Sequence, residues 1–194
     1  MDGETIDILA SLAGCEAEVS KITEAAMAGE LDFFESLTRR VAFLKGVDAA
    51  KAKSRCADLP FIEGAGDIIK ELKGAGYKVV VFSGGFSMGT APAREKLGFD
   101  MDFSNKLHEK DGVLTGLVGG EMMYSDSKGV MLQKLQALLG VSIEDTIAVG
   151  DGANDASMFE FAAKKIAFCA KPKLKEAANI VIDTKDLREI GKYI

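Results

Sequence analysis

The chain has 194 residues, 47% hydrophobic and 28% charged, with a formal net charge of −6: enough to bury a full core, ordinary globular composition, and an acidic balance that excludes non-specific nucleic-acid binding, which needs a basic face. Anionic small substrates stay open, because local positive groups rather than net charge decide those sites. Cys15, Cys56 and Cys169 lack disulfide or zinc spacing, no apolar run reaches the length of a membrane span, and the Met1-Asp2-Gly3-Glu4 start has the wrong charge for a signal peptide, so a cytoplasmic protein without membrane or nucleic-acid partners is expected.

In chain order, Ile6, Leu9, Ala10 and Ala13 recur at helical spacing before Gly14. A second helix over 16–28 puts Val19, Ile22, Ala26 and Met27 on one face and stops at Gly29. Phe33, Phe34, Leu37, Val41 and Leu44 form a third apolar stripe with Arg39 and Arg40 alongside, and a short helix over 48–56 follows before Pro60. No strand pattern precedes Pro60, which predicts a small helical bundle over residues 1–58. Residues 59–194 differ in character. A helix over 65–72, the buried strand of Tyr77–Phe82, Ser83-Gly84-Gly85 and a helix to about Leu97 come first. An alternating hairpin over 99–118 turns at Asp111-Gly112. A helix over 128–139, a strand over 146–149, a helix over 155–163 and strands over 166–170 and 180–183 complete the chain. Such alternation predicts an α/β fold, a mainly parallel sheet with helices on both faces.

The stretch Thr146–Phe159 (TIAVGDGANDASMF) carries the densest chemistry. Its apolar run reads as a strand buried on both faces, with Asp151 at the carboxyl end where open α/β sheets bind ligands. Asp151, Asn154 and Asp155 offer hard oxygen ligands of the kind Mg²⁺ prefers, beside a helix N-terminus; turn-making and helix capping by the same residues is the competing reading. A calcium loop is excluded, since Ala153 and Ala162 stand at ligand positions. Ser83-Gly84 also ends a buried strand, and offers a hydroxyl and bare amides to a phosphate or makes a plain turn. Lys128 falls in the first turn of its helix, where the macrodipole disfavours a cation by about 0.3–1 kcal/mol. A phosphate beside it would reverse that sign; snorkelling to solvent is the alternative. Arg39 and Arg40 point in different directions, and His108 reads as a hairpin residue away from every other candidate.

Taken together, Ser83-Gly84-Gly85, Lys128 and the GDGAND stretch resemble the later motifs of the haloacid dehalogenase superfamily. Glu4-Thr5-Ile6-Asp7, Ser36-Leu37-Thr38-Arg39-Arg40 and VFSGGF resemble its phosphoserine phosphatase family in particular, and the similarity covers essentially the whole chain. The resemblance implies a haloacid dehalogenase-like α/β core over 59–194 and an inserted helical cap over 1–58. It implies that Asp151 is a Mg²⁺ ligand supported by Asp155, and that Ser83, the Gly84 amide, Lys128 and Asn154 bind the phosphate. Glu4 would take the substrate ammonium, Arg40 its carboxylate through the guanidinium fork, and Met27 and Phe33 would line the cap side. The implied reaction is hydrolysis of O-phospho-L-serine, the last step of serine biosynthesis, through an enzyme aspartyl phosphate. The expected partner is this small phosphomonoester, and the protein a monomer or homodimer.

One departure stands out. The superfamily's nucleophile and acid/base form an Asp-x-Asp-x-Thr motif on the first, central strand, and here only Met1, Asp2 and Gly3 precede Glu4. Asp2 has no strand ahead of it and cannot substitute. The expectation is a sheet whose central strand is absent, with about 10–15 further in-frame residues encoded upstream. Two alternatives are a non-catalytic phospho-ligand binding relative and a phosphotransferase to another hydroxyl amino acid.

Overall fold

The computed structural model describes residues 3–194, so Asp2 lies outside the described residues. Helices α1 (Thr5–Ala13), α2 (Glu16–Met27), α3 (Phe33–Ala42) and α4 (Ala49–Ala57) come first, followed by α5 (Ala65–Gly74), β1 (Val80–Phe86) and α6 (Ser87–Leu97). Next are β2 (Met101–Lys110), β3 (Val113–Gly120), α7 (Ser127–Leu139) and β4 (Ile147–Gly150). A 3₁₀ turn at Ala153–Asp155, α8 (Ala156–Phe159), β5 (Lys164–Phe168), α9 (Pro172–Ala177), β6 (Ile180–Ile182) and a 3₁₀ segment at Leu187–Tyr193 end the chain. Contacts divide these into two compact units, one of residues up to Phe61 with Tyr77–Tyr124, the other of Ile62–Gly76 with Ser125–Ile194.

In the first unit, local chemistry sets the helix ends. Gly14 takes the left-handed conformation (φ 67°) that closes α1. The carboxylates of Asp32 and Asp48 accept from the amides of Glu35 and Lys51, each at 2.7 Å, and so start α3 and α4. The apolar faces of the helices meet in one core, with Leu9, Val19, Leu37, Val41 and Leu44 packed with Phe86 of β1 and Leu114 of β3. Strand β1 runs parallel to β2, and β2 antiparallel to β3. The hairpin turns where expected, with Asp111 (φ 52°) and Gly112 (φ 80°) both at the positive φ that a tight hairpin requires.

The second unit holds β4, β5 and β6 in one parallel sheet, with Ile166, Phe168 and Ile182 packed with Ile68 of α5 and Ile190. Among the described residues no helix is long and apolar enough to cross a membrane.

The strands form two three-stranded sheets, β1-β2-β3 and β4-β5-β6, so β1 and β4 are each paired by a strand on one side only among the described residues. The structure departs from the sequence reading in three places. Strand β1 does not end at Phe82 but runs through the glycines to Phe86, because the ladder to β2 resumes at Phe86↔Asn105 after Ser83↔Ser104. The helix expected over 155–163 is a single turn. The Phe161 carbonyl is taken by Gln136 Nε2 (2.8 Å), and the Ala163 amide donates to Ile143 and Thr146, which draws the chain away from helical pairing. Helix α9, begun by Pro172 at its first turn, was not foreseen between the last two strands.

Two glycines in helices separate propensity from packing. At Gly129 of α7 a Cβ would stand 2.4 Å from the Ser157 carbonyl oxygen, whereas at Gly74 of α5 it would meet nothing within 4 Å. Gly74→Ala should therefore stabilise by roughly 0.5–1 kcal/mol. Gly129→Ala should destabilise by about 1–3 kcal/mol. Urea unfolding midpoints of the two variants should move in opposite directions.

Candidate active site

In the first unit the chemistry gathers at the carboxyl end of β1. Gly84 and Gly85 form a bulge between the Ser83↔Ser104 and Phe86↔Asn105 pairs. A side chain on Gly85 would begin 2.7 Å from Thr5 Oγ1, so only glycine lets β1 pass that close to the start of α1. The Gly85 amide donates to Ser83 Oγ at 3.1 Å. Thr5 is buried, and Glu4 immediately precedes it at the N-terminal end of α1.

Arg40, in the last turn of α3, is half-buried, and its Nε donates to the Ser36 carbonyl at 3.2 Å. Burial pulls its pKa down from the usual arginine value, and the nearby charges of Glu4 and then Asp7 oppose that shift. Arg39 is exposed and pairs with Glu35 at 2.5 Å. Of the two adjacent arginines, Arg40 is the one within electrostatic reach of Glu4 and Asp7. Two carboxylates and one guanidinium are a set able to receive an ammonium and a carboxylate together. The Ser36 hydroxyl, on the same helix α3, is buried without a hydrogen-bond partner. Phe33 is half-buried against the helical core, and Met27, 68% exposed, stands at the end of α2. His108 is an exposed strand residue whose Nδ1 lies 2.9 Å from Thr115 Oγ1.

A second pattern went unread in the sequence. Asp100-Met101-Asp102 has Asp-x-Asp spacing, but both carboxylates are engaged structurally. Asp100 accepts from the Val79 amide at 2.9 Å, and Asp102 accepts from Thr90 Oγ1 at 2.7 Å and pairs with Arg94 at 3.1 Å. They sit where β2 begins, opposite the start of β1, whereas ligands of parallel sheets bind beyond the carboxyl ends. This pair is not a nucleophile.

In the second unit β4 ends at Gly150 and delivers Asp151, Asn154 and Asp155 into one loop. Asp155 is 3% exposed, and both its oxygens are in use. Oδ2 accepts from the amides of Asp151 and Gly152, each at 2.9 Å, and Oδ1 from Lys128 Nζ at 2.5 Å. Lys128, 9% exposed, therefore does not snorkel; its helix position is stabilised by a buried carboxylate. A Cβ on Gly150 would lie 2.3 Å from that of Asp155, so the strand must end in glycine for the loop to close. Asn154 is half-buried, its Oδ1 turned toward Gly152. Partial desolvation of the Asp151 carboxyl, followed by the charge of Asp155, raises its pKa above the usual carboxylate value, with Lys128 pulling the other way.

Among the described residues no cluster of three or more His, Cys, Asp or Glu side chains is arranged to hold a metal. The donor set here is smaller, Asp151 with Asp155 behind it, and Lys128 neutralises one of the two charges. That fits Mg²⁺, which keeps several waters and takes one or two carboxylates together with substrate phosphate oxygens.

The sign of the Asp151 shift gives a prediction. Its pKa is raised on folding, so between the unfolded and folded values the native state binds more protons, and stability falls as pH rises through that window. At neutral pH the ionised carboxylate weakens the metal-free fold. Asp151→Asn should therefore melt higher than the wild-type chain at pH 7 in EDTA, with the gain vanishing below the ordinary carboxylate range. A melting point at pH 7 equal to or below wild type would contradict the desolvated carboxylate.

Comparison with known proteins matches residues 3–162 to the haloacid dehalogenase-like hydrolases. A phosphoserine phosphatase of Wolinella succinogenes is 63% identical over all 194 residues, which span 94% of that protein. One from Methanocaldococcus jannaschii is 52% identical, with the chain covering 92% of it. Among solved structures, a substrate-bound phosphoserine phosphatase complex superposes with a TM-score of 0.93 at 52% identity, over the whole chain and 92% of that structure. A phospho-aspartyl intermediate analogue of phosphoserine phosphatase gives the same score, identity and coverage. With its α/β fold, its Ser83-Gly84-Gly85 bulge and its GDGAND loop, the chain belongs to the haloacid dehalogenase-like hydrolases, in the branch whose members are phosphoserine phosphatases.

Proposed function

We propose that this protein hydrolyses O-phospho-L-serine to L-serine and phosphate with Mg²⁺. The observation that carries the reading lies in the first unit. Thr5 packs against Gly85, next to the Ser83-Gly84 stretch, and its chain neighbour Glu4 lies within electrostatic reach of Arg40. An amino-acid ammonium would meet Glu4, its carboxylate the guanidinium of Arg40, and its phosphoryl oxygens the Ser83 hydroxyl and the Gly84 amide. Met27 and Phe33 would line the side contributed by residues 1–58, acting as a cap on a core of 59–194. In the second unit Lys128 and Asn154 offer donors to the phosphate. Asp151, supported by Asp155, would hold Mg²⁺, whose chemistry there is to neutralise charge on the phosphoryl oxygens.

The reaction is read as two displacements. An aspartate carboxylate attacks phosphorus and the seryl oxygen leaves with a proton; water then attacks the acyl phosphate, releasing phosphate and restoring the carboxylate. We further propose that this aspartate and its acid/base neighbour stand on a strand that is not among the residues described. Two observations support this. The one Asp-x-Asp pair of the chain is consumed by Val79, Thr90 and Arg94, and β1, an uncharged run of the kind found inside sheets, has one side without a partner strand among the described residues.

The test is Mg²⁺-dependent phosphate release from L-phosphoserine by the 194-residue chain and by a form carrying the in-frame residues encoded upstream. Activity confined to the longer form is expected. Activity in neither points to a phospho-ligand binding protein, and activity in the short form overturns the assignment of the nucleophile. In the active form Arg40→Ala should raise KM for phosphoserine at least tenfold more than KM for p-nitrophenyl phosphate, in line with about 1.5–3 kcal/mol for a charged hydrogen bond. Equal effects on the two substrates would mean that Arg40 does not read the carboxylate.

A further inference from the structure

Asn105, on β2, is fully buried (0% exposed). Its side chain makes three hydrogen bonds, all to backbone. Nδ2 donates to the Gly84 carbonyl at 3.1 Å and to the Met122 carbonyl at 2.9 Å, and Oδ1 accepts from the Met122 amide at 3.1 Å. A buried amide is costly unless satisfied this fully. The packing around it leaves no slack: at Gly120 (φ 146°) a Cβ would fall 2.7 Å from Asn105 Cα and 2.9 Å from its Oδ1.

The bond to Gly84 has a consequence at Ser83. The Gly84 carbonyl belongs to the same peptide unit as the Gly85 amide. Asn105 therefore holds one end of that unit, while the other end donates to Ser83 Oγ at 3.1 Å. A hydroxyl carries one proton and two acceptor sites. With Ser83 Oγ already accepting from Gly85, its proton is left to be donated outward. Flanked by two glycines, this peptide has no side chain to keep it from rotating. Were it to rotate, the Ser83 oxygen would lose its amide partner and its orientation.

We propose that Asn105 is a positioning residue for phosphate recognition: by locking the Gly84–Gly85 peptide it holds the Ser83 hydroxyl as a donor to the phosphoryl group. This rests on the functional reading above, in which Ser83 and Gly84 meet the phosphate. The other two bonds of Asn105 tie the segment after β3 to the same peptide. Two residues beyond Met122, Tyr124 stacks on Phe34 of α3 with ring centroids 5.4 Å apart, so the start of α3 is joined to this network.

The probe is inorganic phosphate, titrated calorimetrically in the presence of Mg²⁺ into the wild-type chain, Asn105→Asp, Ser83→Ala and the double variant. Asn105→Asp keeps the volume of the side chain and its acceptor for the Met122 amide, and removes the Nδ2 donor that serves the Gly84 and Met122 carbonyls. Each single variant should weaken phosphate binding about tenfold or more, and the double variant should bind within twofold of Ser83→Ala, because the two residues act through one hydroxyl. Exchange of the Gly85 amide, followed by NMR, should accelerate at least tenfold in Asn105→Asp. Losses that multiply in the double variant overturn the proposal, since Asn105 would then act independently of Ser83. So does an unchanged Gly85 exchange rate with phosphate binding intact. A wild-type chain that binds no phosphate overturns the functional reading, and the role of Asn105 in phosphate recognition falls with it.

Discussion

The organising constraint is that a buried backbone polar group needs a partner, and at the two strand ends that carry the chemistry the partner is a buried side chain. Where β4 gives way to its loop, the Asp151 and Gly152 amides are both satisfied by one oxygen of Asp155. Where β1 bulges, the Gly84 carbonyl is satisfied by Asn105. The difference in charge between the two clamps is instructive. A neutral amide suffices beside a serine hydroxyl, since nothing ionic has to be balanced. The carboxylate of Asp155 also draws a lysine into the interior, so Lys128 is fixed in place by the same group that shapes the loop.

Glycine makes both clamps possible. Asp155 reaches the loop amides because Gly150 offers no Cβ, and Asn105 sits against Gly120 for the same reason. The glycines of these stretches therefore do more than relax the backbone: they open the space that a buried polar side chain fills. That also limits how the site can vary, since a methyl group at Gly85, Gly120 or Gly150 would meet its neighbours at 2.3–2.7 Å.

Much of the framework was legible in the sequence because it rests on local rules. Asp32 and Asp48 cap helices, Asp111-Gly112 turns a hairpin, and the apolar helical stripes find a common core. What escaped is non-local. Alternation along β2 puts Asn105 on the face of Met101, Phe103 and Leu107, but nothing in its neighbourhood says that it meets Gly84, 21 residues earlier. The glycines after Ser83 read as a stop, yet β1 continues through them, because pairing with β2 resumes at Phe86. The short α8 is an override of the same kind, its continuation cut by Gln136 from another helix. Lys128 was recognisable as electrostatically out of place, but its partner, 27 residues away, was not recognisable as such.

The charge of the GDGAND loop bears directly on what it can hold. Asp151 and Asp155 set two carboxylates against the single ammonium of Lys128, and Lys128 is already committed to Asp155 at 2.5 Å. The local balance is therefore negative before any ligand arrives, and the charge of Asp155 adds to burial in raising the Asp151 pKa. A phosphate dianion brought to this loop would add to it, and in a partly desolvated site such repulsion is screened far less than at an exposed surface. A divalent cation at Asp151 turns the relation around, because it offsets the carboxylate surplus and presents positive charge to the phosphate. In the proposed function, phosphate and metal would therefore be coupled ligands of this loop. Lys128 contributes by holding Asp155 in place through their buried ion pair, and in the proposed function much of the positive charge offered to the phosphate would come from the cation.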